Sequence, residues 1–232
     1  MSGAPANEAS IGAARIALIH ATRLAIDPVE QAFRSIWPDA ERFHLLEDSL
    51  SRDRVTLPTA SASMQDRFIA LSRYAQSTGA TGILYTCSAF GPEIDGARRA
   101  VPLPTLKPNE AMLIEALGIG RRIGLLATFE PSLQPIRDEL TAAAAERGLT
   151  IEVELVFVPE AMDALARGDS RSHDERIAAA AARTRSLDVL LLAQFSMARA
   201  KSAVADAVAV PVLTSPEAAV AALRLSLKGV SS

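Results

Sequence analysis

The chain carries the same α/β unit twice. The segment RIALIHATRLAIDPV (Arg15 to Val29) lies over RIGLLATFEPSLQPI (Arg122 to Ile136) at an offset of 107 residues, with arginine first and a proline at the same later position in both. TGILYTCSAFG (Thr81 to Gly91) lies over DVLLLAQFSMA at the same offset, which sets Cys87 over Gln194. A third pair, VPLPTLKPNEAM from Val101 and VPVLTSPEAAV from Val210, slips by two residues to an offset of 109. Self-similarity of this kind fixes which positions are structurally equivalent before any motif is interpreted.

Within each repeat, apolar runs of strand length alternate with Ala- and Leu-rich stretches of helical length, the pattern of parallel βαβ units with helices on both sheet faces. Strands are expected at 15–19, 82–86 and 101–104, then at 122–126, 153–157, 189–192 and 210–213, with the first helix from about Pro28. Lys107-Pro-Asn-Glu-Ala111 and Ser215-Pro-Glu-Ala218 read as equivalent helix starts, with proline in the first turn and a glutamate where the dipole favours it. The fold class is therefore α/β, with two Rossmann- or flavodoxin-like lobes built on parallel sheets. Residues 15–105 and 215–232 are assigned to the first lobe and 106–214 to the second, after a flexible tail over 1–14. Loops at the carboxyl ends of the strands should face one another across a cleft.

Composition narrows the partners. A formal charge of −3 with no dense Lys/Arg cluster argues against nucleic acid and for a small metabolite. One cysteine makes no internal disulfide, and His20, His44 and His173 have no metal-ligand spacing, so no metal is expected. No apolar run approaches the roughly 18 residues that cross a bilayer, and the first residues lack the basic and apolar regions of an export signal, so a cytoplasmic, membrane-free protein is expected. Gly118-Ile-Gly120 precedes a strand instead of following one, which is the wrong setting for a dinucleotide site.

The strand-end loops hold the residues that carry chemistry: His20-Ala21-Thr22, Cys87-Ser88-Ala89, Thr128-Phe129 and Gln194-Phe195-Ser196. A Cys-Ser loop after an apolar strand, a Gly-Leu-Leu-Ala-Thr segment opening the second half and a Leu-Ala-x-x-x-Met-Ala loop resemble the aspartate/glutamate/hydantoin racemase superfamily, over about residues 15 to 225. The resemblance implies cofactor-independent proton transfer at a carbon beside a carboxylate or carbonyl, with one cysteine from each half flanking that carbon. Cys87 matches the first cysteine. Thr22, Ser88, Ala89, Thr128, Phe129, Phe195 and Ser196 would surround a small carboxylate. Homodimers or larger assemblies are common in the resembled family.

The second cysteine position holds Gln194, which cannot exchange a proton near neutral pH. One thiol suits a racemase or isomerase with a different second base, for which His20 is the candidate, or a decarboxylase like the arylmalonate enzymes of this superfamily. A non-catalytic small-molecule sensor is the alternative from another class. Each residue also has a plainer reading: a lone cysteine as a small buried hydrophobe, His20 as partner of a backbone carbonyl, Thr22 and Thr128 as caps. Ser196 lacks the Gly-x-Ser-x-Gly setting of an exposed nucleophile. Trp37 is expected to pack a lobe interior, and the charged stretch 167–176 reads as a solvated loop with His173 facing solvent.

Overall fold

The computed structural model describes residues 14–57 and 61–229, so the expected tail, except for Ala14, and the last three residues lie outside the described residues. The first half runs β1 (Arg15–His20), α1 (Ile26–Ile36), β2 (Glu41–Leu46), α2 (Ser49–Thr56), α3 (Ala62–Ser77), β3 (Gly82–Tyr85), α4 (Gly91–Ala100) and β4 (Thr105–Leu106). The second runs α5 (Glu110–Ile119), β5 (Arg122–Ala127), α6 (Leu133–Ala145), β6 (Glu152–Phe157), α7 (Pro159–Ala166), α8 (Ser170–Ala181), β7 (Val189–Leu192), α9 (Lys201–Ala205), β8 (Val212–Thr214) and α10 (Ser215–Gly229). Each half makes a four-stranded parallel sheet of the same topology, β2-β1-β3-β4 and β6-β5-β7-β8.

Strand register confirms the duplication and removes part of the slip. Ile83 pairs with Thr105 and Leu190 with Val212, so the fourth strands are also 107 residues apart. The fourth strands begin after the prolines expected to lie within them. Pro102, Pro104 and Pro211 have no N–H to give to a ladder, but the carbonyls of Pro104 and Pro211 accept from Ile83 and Leu190 at 2.8 and 2.9 Å.

The strands β3 and β7 are buried along their whole length, which is why Gly82–Tyr85 and Val189–Leu192 read as unbroken apolar runs. In the first sheet, Ala17, Ile19, Ile83 and Tyr85 meet Met64, Phe68 and Ile94 of α3 and α4. On its other face, Ile16, Leu18 and Leu84 meet Val29 and Phe33 of α1 and Val220 and Leu223 of α10. The second sheet repeats this: α5 and α6 cover one face through Met112, Leu113, Ile136 and Leu140, while α7, α8 and α9 cover the other through Ala161, Ile177 and Val204. The last helix therefore returns to the first sheet, and α5 packs on the second.

Two local readings change. The stretch 167–176 is mostly helix: Asp169 caps α8 by accepting from the Ser172 N–H at 3.1 Å, after Gly168 turns the chain at a left-handed φ of 80°. His173 is buried and not solvent-facing, because with Ile177 and Ala181 it forms the inward stripe of α8. Trp37 is partly buried against the α1 side of the first core and lies 6.1 Å from the Phe33 ring.

Candidate active site

A cleft of about 490 Å³ opens at the carboxyl ends of the strands, between the two lobes. Thr22, Cys87 and Ser88 line it from the first half, and Phe129, Gln194, Phe195 and Ser196 from the second. A larger groove of about 730 Å³ lies among α4, α5 and α6, but its lining of Asp95, Lys107, Glu139 and their neighbours includes neither the thiol nor a histidine. The smaller cleft is where the thiol and facing polar groups converge.

Cys87 is half-buried at the end of β3, on the α3/α4 side of the first sheet. Burial pushes its thiol up to about 11, against the pull of the Ala89 N–H, the Ser51 hydroxyl, the Arg54 charge and the Ser88 N–H. Catalysis by a thiolate calls for a lowered value, and here the balance goes the other way: at neutral pH the resting group is S–H, a proton donor. The Ser51 hydroxyl donates to the Ala21 carbonyl at 2.7 Å in this state and is close enough to turn toward a thiolate. Behind it, Arg54 is buried, ion-paired with the buried Glu93, and sits 4.8 Å from the Phe90 ring centroid.

Opposite the thiol, Gln194 is held in one orientation. Its Oε1 accepts from the Thr128 N–H at 2.6 Å and from the Thr128 hydroxyl at 2.8 Å. An amide oxygen with both lone pairs engaged leaves the NH₂ group as the end that can address a ligand, so Gln194 acts as a donor. Thr128 is thus a buried support behind the wall. Ser88 likewise spends its proton across the lobes, donating to the Ala193 carbonyl at 2.8 Å. Ala89 is fully buried and serves through its backbone N–H. Thr22 caps the short helical turn Arg23–Ala25 by accepting from the Leu24 N–H at 3.4 Å. Phe195 and Phe129 both reach from the second half into the first, one into each of its two core clusters.

The structure does not bring His20 into the cleft lining. It is fully buried, with Nδ1 2.8 Å from the Thr86 hydroxyl and Nε2 2.9 Å from His44 Nδ1. Burial first, and the neighbouring His44 second, lower its pKa to about 3, so it is neither an imidazolium anchor for a carboxylate nor an effective base. Cleft residues that the sequence reading missed include Thr86, Arg23, Ser51, Arg52 and Met162. Ser51 and Arg52 follow β2, the one strand not anticipated, and the strand-end rule would have found them once that strand was placed.

The model of the Asp/Glu/hydantoin racemase family matches residues 18–223. The chain belongs to this family. Solved structures agree on the fold. Glutamate racemase from Francisella tularensis, in complex with D-glutamate, superposes with a TM-score of 0.74 at 14% identity, covering 94% of this chain and 82% of that one. Picrophilus torridus aspartate racemase gives 0.71 at 18% identity, covering 93% and 94%. A glycine-to-cysteine mutant of arylmalonate decarboxylase in its sulfate-associated form gives 0.62 at 19% identity, covering 94% of each chain. No curated protein matches the sequence. Among the described residues of this racemase-family protein, no helix is long and apolar enough to cross a membrane, and no group of three or more His, Cys, Asp or Glu is placed to hold a metal ion.

Proposed function

We propose that this protein is a one-thiol enzyme of the racemase family that transfers a proton at the carbon beside the carboxylate or carbonyl of a small molecule, with Cys87 as the acid/base. The observation that carries the reading is the pairing of Cys87 on one wall with an oriented Gln194 on the other. A racemase needs a proton exchanger on each face of the carbon; here one face has a thiol and the other an amide donor. The amide N–H groups of Gln194 stabilise negative charge as it develops on the substrate, and the thiol delivers the proton to one face. Arg23 and Arg52 at the cleft mouth supply positive charge for a carboxylate.

Decarboxylation of a substituted malonate is favoured over two-faced racemisation because the face opposite Cys87 carries the amide of Gln194 and no second proton exchanger. Loss of carbon dioxide leaves a carbanion that needs a proton and no prior abstraction, so an S–H group raised to about 11 is already in the required state. Incubating carboxylate panels in heavy water separates the two reactions: decarboxylation releases carbon dioxide with one deuterium incorporated, whereas racemisation washes deuterium into unreacted substrate. Cys87→Ala is expected to abolish either reaction with the fold intact by circular dichroism. Full activity in that variant would end the proposal. Silence of the wild type across the panel, with ligands still bound, would leave a sensor.

A further inference from the structure

Beneath α1 a single line of polar groups crosses the first lobe. Alternate residues of a strand share a face, so His20 stands beside Thr86, with Leu18 and Leu84 next along the same side of the sheet. His44 of β2 and Glu30 of α1 continue the line outward: His44 Nε2 lies 3.2 Å from Glu30 Oε1, and Arg42 donates to both carboxylate oxygens of Glu30 at 2.8 and 3.0 Å. The two ring centroids are 5.1 Å apart with planes 20° from parallel, a separation that fits an edge-to-edge N–H···N bond of 2.9 Å. Thr86, at the inner end, lines the cleft beside Cys87.

The acceptor at the outer end decides every bond in the chain. Arg42 holds the Glu30 carboxyl below its ordinary range, so Glu30 is ionised and can only accept. With both rings neutral, His44 Nε2–H donates to Glu30, His44 Nδ1 accepts from His20 Nε2–H, and His20 Nδ1 must accept from the Thr86 hydroxyl. The competing contact from the Thr86 hydroxyl to the Ile19 carbonyl is 3.4 Å, well beyond the usual O–H···O distance.

We propose that Glu30, His44 and His20 form a polarised relay of positioning residues that commits the Thr86 proton inward, so that the cleft wall beside Cys87 offers an acceptor at Thr86 and favours ligands bearing an N–H or O–H donor there over a second carboxylate. The ligand preference rests on the reading of the cleft as a carboxylate site; the relay does not. The charged groups facing it are Glu30 and Arg34 on α1 and Arg42 on β2, with apolar Leu18, Leu84 and Phe195 completing its surroundings. A cationic His44 would still donate from Nε2 to Glu30 but would also donate from Nδ1 to His20, reversing the two inner bonds and leaving Thr86 free to donate outward.

Histidine ¹⁵N spectra test the relay directly, since the chain has only three histidines. At pH 8, His20 and His44 are both expected as neutral tautomers protonated at Nε2. In Thr86→Val the His20 Nδ1 resonance is expected to move toward that of an unbonded acceptor nitrogen. A His20 protonated at Nδ1, or a Nδ1 signal indifferent to Thr86→Val, overturns the relay. The preference is read by titrating malonate and malonamate, which differ by one carboxylate against one amide. Thr86→Val is expected to cost malonamate about five-fold in affinity relative to malonate, the worth of one hydrogen bond, and Glu30→Gln to shift the ratio in the same direction. An unchanged ratio in Thr86→Val overturns the preference. If neither compound binds the wild type, the carboxylate reading and the preference fall together, while the tautomers still decide the relay.

Discussion

Thr128 holds Gln194 by two hydrogen bonds to a single oxygen, one from its backbone N–H at 2.6 Å and one from its hydroxyl at 2.8 Å. The side chain that the internal repeat makes equivalent to Cys87 is therefore an oriented amide with its NH₂ toward the cleft. Gln194→Glu keeps the acceptor for Thr128 and replaces the donor with negative charge. Turnover of a carboxylate substrate is expected to fall at least about hundred-fold, the usual cost of losing a donor to developing charge. Steady-state kinetics on the substrate found by the heavy-water panel checks this; a variant within a few-fold of wild type removes Gln194 from the mechanism.

The thiol makes a second expectation. Burial that pushes Cys87 up from 9 to about 11 lowers its thiolate fraction at pH 7 on the order of 100-fold. Because a more basic thiolate is also more nucleophilic, iodoacetamide should modify it on the order of ten-fold more slowly than glutathione at pH 7, with a rate that climbs through pH 9 and 10. Ser51→Ala, which removes a hydroxyl able to turn toward the thiolate, should shift the rise further upward. An inflection near pH 7 would mean that the local N–H groups and Arg54 outweigh burial, and the thiol would then be a resting base.

How much of this was legible from residues alone depended on how completely each element is buried. Gly82–Tyr85 and Val189–Leu192, enclosed on both faces, announce themselves as apolar runs, and the duplicated RIALIH and RIGLLA segments fixed their partners. Glu41–Leu46 escaped notice because it is an edge strand with no fully buried position, where Glu41, His44 and Leu46 are exposed and no unbroken apolar run forms. Its absence hid both the loop that brings Ser51 to the thiol and the partner that draws His20 away from the cleft. His173 was misplaced because charge density outweighed spacing, although its four-residue step to Ile177 was in plain view. The duplication located Cys87, Ser88 and Gln194 at the cleft, but it could not show that Thr128 and Ser88 spend their protons on other groups.

His20 links the fold to pH. The unfolded chain binds a proton at this residue below about 6.5, whereas the folded protein resists until about 3 because burial disfavours the imidazolium. Stability from this group is therefore present above pH 6.5 and is lost as pH falls from there toward 3, by roughly 1 kcal/mol per pH unit for one proton. Urea unfolding at pH 7.5, 6, 5 and 4 should give the wild type a steeper acid loss than His20→Gln, the difference corresponding to about one proton. Parallel slopes would show that His20 titrates alike in both states.

Phe195 follows Gln194 directly, yet its ring is buried in the first lobe's core among Leu18, Leu84, Ala25 and Val220. The wall that carries the amide is thus anchored to the lobe that carries the thiol, and Ser88 ties back to Ala193 from the other side. Phe195→Ala opens a cavity at this junction and is expected to cost about 3–5 kcal/mol of stability. Phe195→Leu, which retains most of the apolar volume, should cost less than half as much. Because both substitutions act on the spacing between Cys87 and Gln194, kcat should fall further than KM rises, even at temperatures where each variant is fully folded. Chemical denaturation gives the first quantity and kinetics below the unfolding transition the second. A Phe195→Ala protein as stable as wild type would mean that the lobes are held together elsewhere, with the ring contributing only to the cleft surface.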